Sequence, residues 1–572
     1  MKAIRHYVLA LGVVFFMSAI PVQAAPPPGQ TAGGVVGREQ MDFQQQKLQG
    51  RIVQAPQKTQ EADEEEITSL DVGEKVAIKE IQVEGVTLLT AEEVQAVVAP
   101  YEGKDLTFRQ MQKVADLITD RYRQKGYVTS RAYLPPQTVE NGVLVIRVVE
   151  GKLGKIDISG NKYFQTAMLE KKIGMEPEGY FDYSALQNSL VYLNENPDRM
   201  ARAVLVPGAR PGTTDVVIEM EDRLPVHVGF EYDNWGSRYI DRSRYSVILE
   251  HNNVSGRDDK LYLKGQAAEN QQLALGLARY VFPVSPTLEI GAYTLYSKVQ
   301  AGDEFAAFDS EGMAKIYGVF GTKRLVRNET LEVRANFGFD YKNIEDNFAG
   351  IQLSRDDVRV LRGGVDFDYR DPWGRTILTL EADQGLPDIL GAMEDKDPDA
   401  SRAGAGAKFT KGVVNLFRLQ PMPLETSLLW KNTAQFTNHR LIAAEQFQIG
   451  GATSVRGYPP AEFSGDKGLY SSFELSIPWY FLSKTARVPF YQKNRWYDVL
   501  RFVVFWDWAY VNRTAPTATE EETDVLQGAG FGMRMNLTEH LDCRVEIGYP
   551  LGGPTPSDGD HMHPWVEFSY KF

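Results

Sequence analysis

A chain of 572 residues is long for one compact domain, and its formal charge of −14 (76 acidic against 62 basic residues) argues against nucleic acid as a partner. A single cysteine, Cys543, excludes an intrachain disulfide framework, so stability comes from apolar cores or from lipid. After the first residues no run of about 18 apolar residues occurs, which excludes a transmembrane helix but not a closed β-barrel, whose strands need only alternate apolar positions.

In chain order, MKAIRHYVLALGVVFFMSAIPVQAA comes first. Lys2 and Arg5 precede an apolar core from Tyr7 to Ile20, and Val22-Gln23-Ala24 supplies a small-residue cleavage end. The pattern is expected to be a signal peptide over 1–24, because the core is short for a membrane anchor, and it implies export. Residues 25–74 are Pro-, Gln- and Glu-rich and include the acidic run from Glu61 to Glu66. Such a segment lacks the apolar content for a core and reads as a periplasmic linker, with 38–53 the stretch able to form a short helix.

Two α/β units follow, over 75–151 and 152–222. In the first, Val76, Ile78, Ile81 and Val83 mark a strand, and Thr90 with Glu93 forms a capping box opening a helix. A second helix starts at Thr107 and sets Met111, Val114, Ile118 and Tyr122 on one stripe, ending at Gly126. Strands around 130–134 and 143–149 complete a β-α-α-β-β order. The second unit repeats it, with a strand at 155–159, a short helix at 167–173, an apolar stripe of Tyr183, Leu186, Leu190 and Leu193, and a closing hairpin over 203–206 and 215–220.

This order is similar to the periplasmic POTRA module. The run LNENPDRMARAVLVPGARPGTTDVVIEM resembles the second POTRA of two-partner secretion transporters of the outer membrane, the hemolysin secretion/activation type.

From 226 to 572 the period changes to two. Leu273, Leu275 and Leu277 alternate with Ala274, Gly276 and Ala278; after Pro283-Val284-Ser285-Pro286, Leu288, Ile290 and Ala292 alternate with Glu289, Gly291 and Tyr293. With the leucines assigned to lipid and the small or polar residues to a wet lumen, these strands predict a transmembrane antiparallel β-barrel of about 16 strands. A large soluble sandwich shares the alternation but does not account for a chain whose Val566, Phe568, Tyr570 and Phe572 share one face to the last residue. That strand resembles the C-terminal signal read by the barrel assembly machinery, with Phe568, Tyr570 and Phe572 as its aromatic positions.

Strands counted back from Phe572 place IGGATSVRGY in a long extracellular loop, about 438–467. Its Gly450, Gly451, Val455, Arg456, Gly457 and Tyr458 resemble the in-folded loop of two-partner secretion transporters, whose Val-Arg-Gly-Tyr tip enters the barrel. An inward arginine requires an acceptor. In RFVVFWDWAY, Phe502, Val504, Trp506 and Trp508 face lipid, so Phe505 and Asp507 face the lumen. The family pattern Phe-x-Asp-x-Gly is matched by Phe505 and Asp507, with Ala509 where glycine is usual. On the next strand Gly528, Gly530, Gly532 and Arg534 face inward, and the glycines leave room for a backbone to approach. An Arg456–Asp507 hydrogen-bonded pair is expected to contribute roughly 1.5–3 kcal/mol, less where water screens it.

No nucleophile-elbow, zinc-protease or phosphate-loop motif occurs, so no enzyme activity and no cofactor are expected. His561 and His563 beside Asp558 and Asp560 fall in the last extracellular loop, where such groups are expected to be solvated and metal-free. The resemblance implies a translocator that takes a secreted exoprotein from the periplasm, with outer-membrane lipid and the assembly machinery as further partners. It leaves open whether residues 38–53 plug the pore, as an N-terminal helix does in family members. A barrel-assembly factor of the same superfamily shares barrel and loop but usually carries more POTRA units; a diffusion porin explains neither the POTRA units nor the loop.

Overall fold

In the computed structural model, which describes residues 27–53, 75–328, 330–489, 491–518 and 520–572, period-two alternation closes the C-terminal region into one antiparallel barrel. The expected signal peptide and the acidic run at 61–66 lie outside the described residues. The chain forms two compact units: 27–53 with 226–251 and 259–572, and 75–225 with 252–258.

In the second unit, strand Glu80–Glu84 runs parallel to Val143–Val149, which pairs antiparallel with Arg131–Tyr133. Helices Ala91–Val98 and Phe108–Gln124 cover this sheet. Both open with complete capping boxes, from Thr90 and Glu93 and from Thr107 and Gln110. Met111, Val114, Ile118 and Tyr122 are buried against Leu144 and Ile146. The second repeat has the same plan: Lys152–Ser159 lies parallel to Thr213–Asp222, which pairs with Arg199–Pro207, under helices Thr166–Glu170 and Tyr183–Leu193. Its core joins Leu153, Leu169, Leu186, Leu193 and Ile218.

The barrel has sixteen strands among the described residues. They are β1 Val226–Asp233, β2 Arg244–His251, β3 Lys260–Ala268, β4 Leu273–Ser285, β5 Leu288–Gln300, β6 Glu311–Arg327, β7 Leu331–Phe348 and β8 Ile351–Asp371. Then come β9 Gly374–Gly385, β10 Thr410–Met422, β11 Thr426–Thr437, β12 Lys467–Pro478, β13 Leu500–Asn512, β14 Thr523–Asn536, β15 Leu541–Pro550 and β16 His563–Lys571. Each pairs with the next, and β16 closes on β1 from Glu567 opposite Asp233 to Lys571 opposite Gly229. On the outer face Trp430, Phe473 and Trp506 stack at 5.6 and 5.9 Å, an aromatic run suited to lipid.

Residues read as linker hold the largest departure from expectation. Helix α1, Ala32–Val53, begins before the anticipated 38 and runs through the barrel. Its 22 residues rise about 33 Å, close to the hydrocarbon thickness of about 30 Å. Ala32, Val35, Val36, Leu48 and Ile52 are buried against different parts of the wall. Its buried residues meet three separate parts of the wall while Gln44, Gln46 and Lys47 stay exposed, so it carries no single apolar stripe to read.

The same helix reverses the facing of β4. Leu273 and Leu275 are buried inside, Leu277 shares their face, and Ala274 is exposed outside. Leu273 packs with Val35 and Val299, and Leu277 borders the cluster of Ala32, Val36 and Leu295. The assignment of these leucines to lipid therefore fails, because the lumen beside β4 is filled by an apolar helix surface. On β5, where Ile290 is exposed and Leu295 buried, outward and inward follow the expected alternation.

Candidate functional site

The connection between β11 and β12 folds back into the barrel. A short antiparallel pair, Phe447–Ile449 with Phe463–Gly465, forms its neck. Gly450 and Gly451 then turn the chain at φ of 103° and 101°, a region that side-chain-bearing residues rarely adopt. The tip is closed by Gly451 N donating to Tyr458 O at 3.0 Å and Tyr458 N to Val455 O at 3.1 Å.

Arg456 sits at this tip, 1% exposed. Its Nε donates to Asp507 Oδ2 at 2.8 Å and its Nη2 to Asp507 Oδ1 at 2.7 Å, a bidentate fork. The Arg456 backbone N–H also reaches Asp507 Oδ2 at 3.1 Å, and the Ser472 hydroxyl donates to Asp507 Oδ1 at 2.7 Å. The guanidinium lies 3.4 Å from the centroid of the Phe505 ring. The structure thus brings Arg456, Asp507 and Phe505 together.

Two further carboxylates, unforeseen in the sequence, meet the same arginine. Nη1 lies 2.9 Å from both Glu546 Oε2 and Glu474 Oε1. Glu474 also pairs with Lys431 at 2.7 Å and Arg534 at 2.9 Å; Glu546 pairs with Arg534 and Arg544, each at 2.7 Å. The acceptor is therefore a cluster of three acids and four cations, not one aspartate. Glu546 was within reach of the alternation argument, since in DCRVEIGY it falls between Val545 and Ile547 and is fully buried. Trp565 on β16 adds an indole N–H to Arg456 O at 2.8 Å.

The glycines form the seat. A Cβ on Gly457 would lie 2.6 Å from Tyr549 C and O, and one on Gly528 would lie 3.0 Å from Gly457 N. Gly530 and Gly532 are equally closed, the first by Phe505 Cζ at 2.5 Å and the second by Glu546 Cγ at 2.6 Å. Val455 and Tyr458 are buried with Tyr470, Ala509 and Leu526, and Tyr458 OH donates to Gly552 O at 2.8 Å. The terminal aromatics Phe568, Tyr570 and Phe572 lie apart from this site, at the β16–β1 seam, where the Phe572 and Phe230 rings stand 6.4 Å apart.

Helix α1 shares the lumen and is tied to wall and loop by polar contacts. Ala32 N donates to Asp346 Oδ1 at 2.9 Å, and Arg244 pairs with Glu39 at 2.5 Å. Thr453 Oγ1 donates to Asp42 at 2.6 Å, Gln448 Nε2 donates to Gly34 O at 2.8 Å, and Arg51 lies 3.5 Å from Asp368. A cavity of about 330 Å³ lies between α1, the loop and the wall.

The last loop is less wet than expected. His563 is buried at the start of β16, with Nε2 3.2 Å from Asp558 Oδ2, and Arg242 approaches Asp558 and Asp560 at 3.0 and 3.3 Å. His563 and the Asp558 side chain are withdrawn from solvent, whereas Asp560 and His561 stay exposed as expected.

Residues 212–535 match the family model for the haemolysin secretion/activation protein ShlB/FhaC/HecB, and residues 76–151 match the POTRA domain of ShlB type. The outer membrane transporter CdiB of Escherichia coli O6:K15:H31 (strain 536 / UPEC) is 25% identical over 497 residues, 85% of this chain and 80% of that protein. The heme/hemopexin transporter protein HuxB of Haemophilus influenzae (strain 86-028NP) is 20% identical, with 85% of each chain covered. The solved structure of CdiB from Escherichia coli superposes with a TM-score of 0.72 at 22% identity, covering 94% of this chain and 98% of that one, a likeness of fold. A family match over more than half of the chain, found on a sixteen-strand barrel preceded by a POTRA domain, establishes that this protein belongs to the ShlB/FhaC/HecB family of two-partner secretion translocators of the outer membrane.

Proposed function

We propose that this translocator exports one large partner exoprotein, of adhesin or haemolysin type, from the periplasm to the cell surface. The observation that carries the reading is a lumen occupied by two pieces outside the barrel wall, α1 and the in-folded loop. Neither α1 nor the Arg456 tip forms a strand of the wall; both are held by side-chain contacts. With α1 running through the lumen and the in-folded loop beside it, cargo passage requires α1 to leave. In this reading the Arg456–Asp507 pair locks the loop to the wall, while Gly450, Gly451, Gly457, Gly528, Gly530 and Gly532 shape its path.

Cargo capture falls to the POTRA units. Glu80–Glu84 and Arg131–Tyr133 edge the first three-stranded sheet, and Lys152–Ser159 and Arg199–Pro207 edge the second. An extended chain adds to such an edge through main-chain bonds, with neighbouring side chains giving selectivity. Relatives carry different cargo names, from HuxB, a heme/hemopexin transporter, to HpmB, a hemolysin transporter, so the shared fold does not by itself name the cargo.

The test is co-expression with a candidate large exoprotein from the same genome, followed by assay of the medium. Deleting residues 75–150 is expected to abolish secretion and leave a heat-modifiable barrel in the outer membrane. Normal secretion by that variant overturns capture by the first unit.

A further inference from the structure

At the end of the barrel where β1 begins, the connections 286–287, 372–373, 423–425 and 537–540 are two to four residues long, and 252–259 has eight. The β12–β13 connection, residues 479–499, breaks that pattern and carries WYFLSKTARV before a second aromatic and basic stretch. Short periplasmic turns are the rule for such barrels, so an excursion here calls for a purpose.

Its course is marked by aromatic contacts that continue the lipid-facing wall. Phe531, exposed on the outside of β14, packs at 6.1 Å on Phe502 of β13. Phe502 packs at 6.1 Å on Trp479, and Trp479 packs edge-on at 5.5 Å against Phe481. The outer aromatic column therefore runs off the rim and ends on Phe481, which is 90% exposed. Trp373 and Leu424 in neighbouring turns of the same rim are also exposed.

Charge points the same way. In a protein of net charge −14, this connection concentrates Lys484, Arg487, Lys493 and Arg495, followed by Arg501, against Asp498 alone. Arg495 is neutralised by Asp498 at 2.6 Å, and Lys484 lies 3.8 Å from Glu425 while resting 4.7 Å over the Tyr497 ring. Arg487 gives its Nη1 to Gln492 O, and Lys493 lies 5.9 Å from the Tyr491 ring; among the described residues neither pairs with a carboxylate.

We propose that this connection is a docking surface for the periplasmic leaflet, with Tyr480 and Phe481 seated at headgroup depth and Lys484, Arg487 and Lys493 against anionic phospholipid headgroups. Aromatic rings favour that depth, and each basic side chain near an anionic surface adds attraction. The occupant is lipid because the apolar column is continuous with the lipid-facing wall and the adjoining charge is positive. The arrangement would anchor the rim directly beneath β12, β13 and β14, the strands that carry Glu474, Asp507 and the glycine seat.

The test uses the full-length protein in the Cys543→Ser background, with Phe481→Cys carrying an environment-sensitive nitrobenzoxadiazole label. It is reconstituted into phosphatidylethanolamine vesicles with or without phosphatidylglycerol, and heat-modifiability confirms that the barrel has folded. A headgroup-depth nitroxide lipid is expected to quench the label and aqueous iodide to leave it largely unquenched. Phosphatidylglycerol should strengthen nitroxide quenching, and the Lys484→Gln/Arg487→Gln/Lys493→Gln variant should lose that increment. A label quenched by iodide and not by the lipid nitroxide places the segment in water or under another protein, and overturns the proposal. Quenching indifferent to phosphatidylglycerol and to the three glutamines overturns the anionic-headgroup assignment.

Discussion

Removing either partner of the Arg456–Asp507 pair should release the in-folded loop, and the surrounding charges say which removal is worse. Asp507→Ala leaves Arg456 facing Glu474 and Glu546, which Lys431, Arg534 and Arg544 already neutralise. A buried guanidinium then stands in a cluster of excess positive charge. Arg456→Ala leaves three acids opposite three cations, with Asp507 still accepting from Ser472. Breaking a buried pair from one side costs about 3–5 kcal/mol, and Arg456 and Asp507 are 1% and 0% exposed, which places Asp507→Ala at the upper end. At about 1.4 kcal/mol per tenfold, the out-folded population should rise by roughly two to three and a half orders of magnitude. The assay places Ser454→Cys, buried in the parent, in a Cys543→Ser background and follows labelling of intact cells by a membrane-impermeant maleimide. Labelling should be slow in the parent, fast in Arg456→Ala and fastest in Asp507→Ala. The double replacement should be no worse than Asp507→Ala, since both remove one shared contact. Unchanged labelling, or fully additive effects in the double variant, would refute the lock and leave Arg456 to be reassigned to the passing cargo.

Deleting residues 32–53 should open the barrel, read as a large rise in single-channel conductance and in sensitivity to bulky antibiotics, with heat-modifiability retained. Residues 75–222 expressed alone should fold as a mixed α/β protein by circular dichroism and lose stability in acid through Glu150. Burial pushes the Glu150 carboxyl up, but hydrogen bonds from the Thr87 hydroxyl and amide, the Tyr122 hydroxyl and the Leu88 amide outweigh it and hold the group below the usual range. A depressed folded value stabilises above the unfolded pKa, near 4.3, and that stability disappears as pH falls through the folded value. Glu150→Gln should therefore lower Tm at pH 7 and flatten this part of the acid decline. Replacing Phe568 and Phe572 with serine should reduce the amount of inserted barrel, measured as the heat-modifiable fraction, while leaving export into the periplasm intact.

Local chemistry made much of this molecule legible. Capping boxes at Thr90 and Thr107 are four-residue patterns, and each opens a helix in the structure. Inward facing of Asp507, Gly528, Gly530 and Gly532 follows from alternation within a single strand, as does outward facing of Val504, Trp506 and Phe531. Arg456 could be matched to Asp507 once the resemblance of its loop placed the arginine inside the barrel, because an inward charge demands a counter-charge and that strand offers one.

By itself, the sequence determined the period-two barrel wall and the two α/β repeats, because each rests on neighbours a few positions apart, while the loop tip was legible through its resemblance to a family motif. Tertiary structure alone decided where residues 32–53 go, which way Leu273 and Leu275 face, and that Glu474 and Glu546 join Asp507 around one arginine. The physical reason is closure. Alternation gives each strand two faces but does not say what fills the lumen, and an enclosed helix turns part of that lumen apolar. Likewise, acids on β12, β13 and β15 become one cluster only when the strands stand side by side around a loop that returns between them.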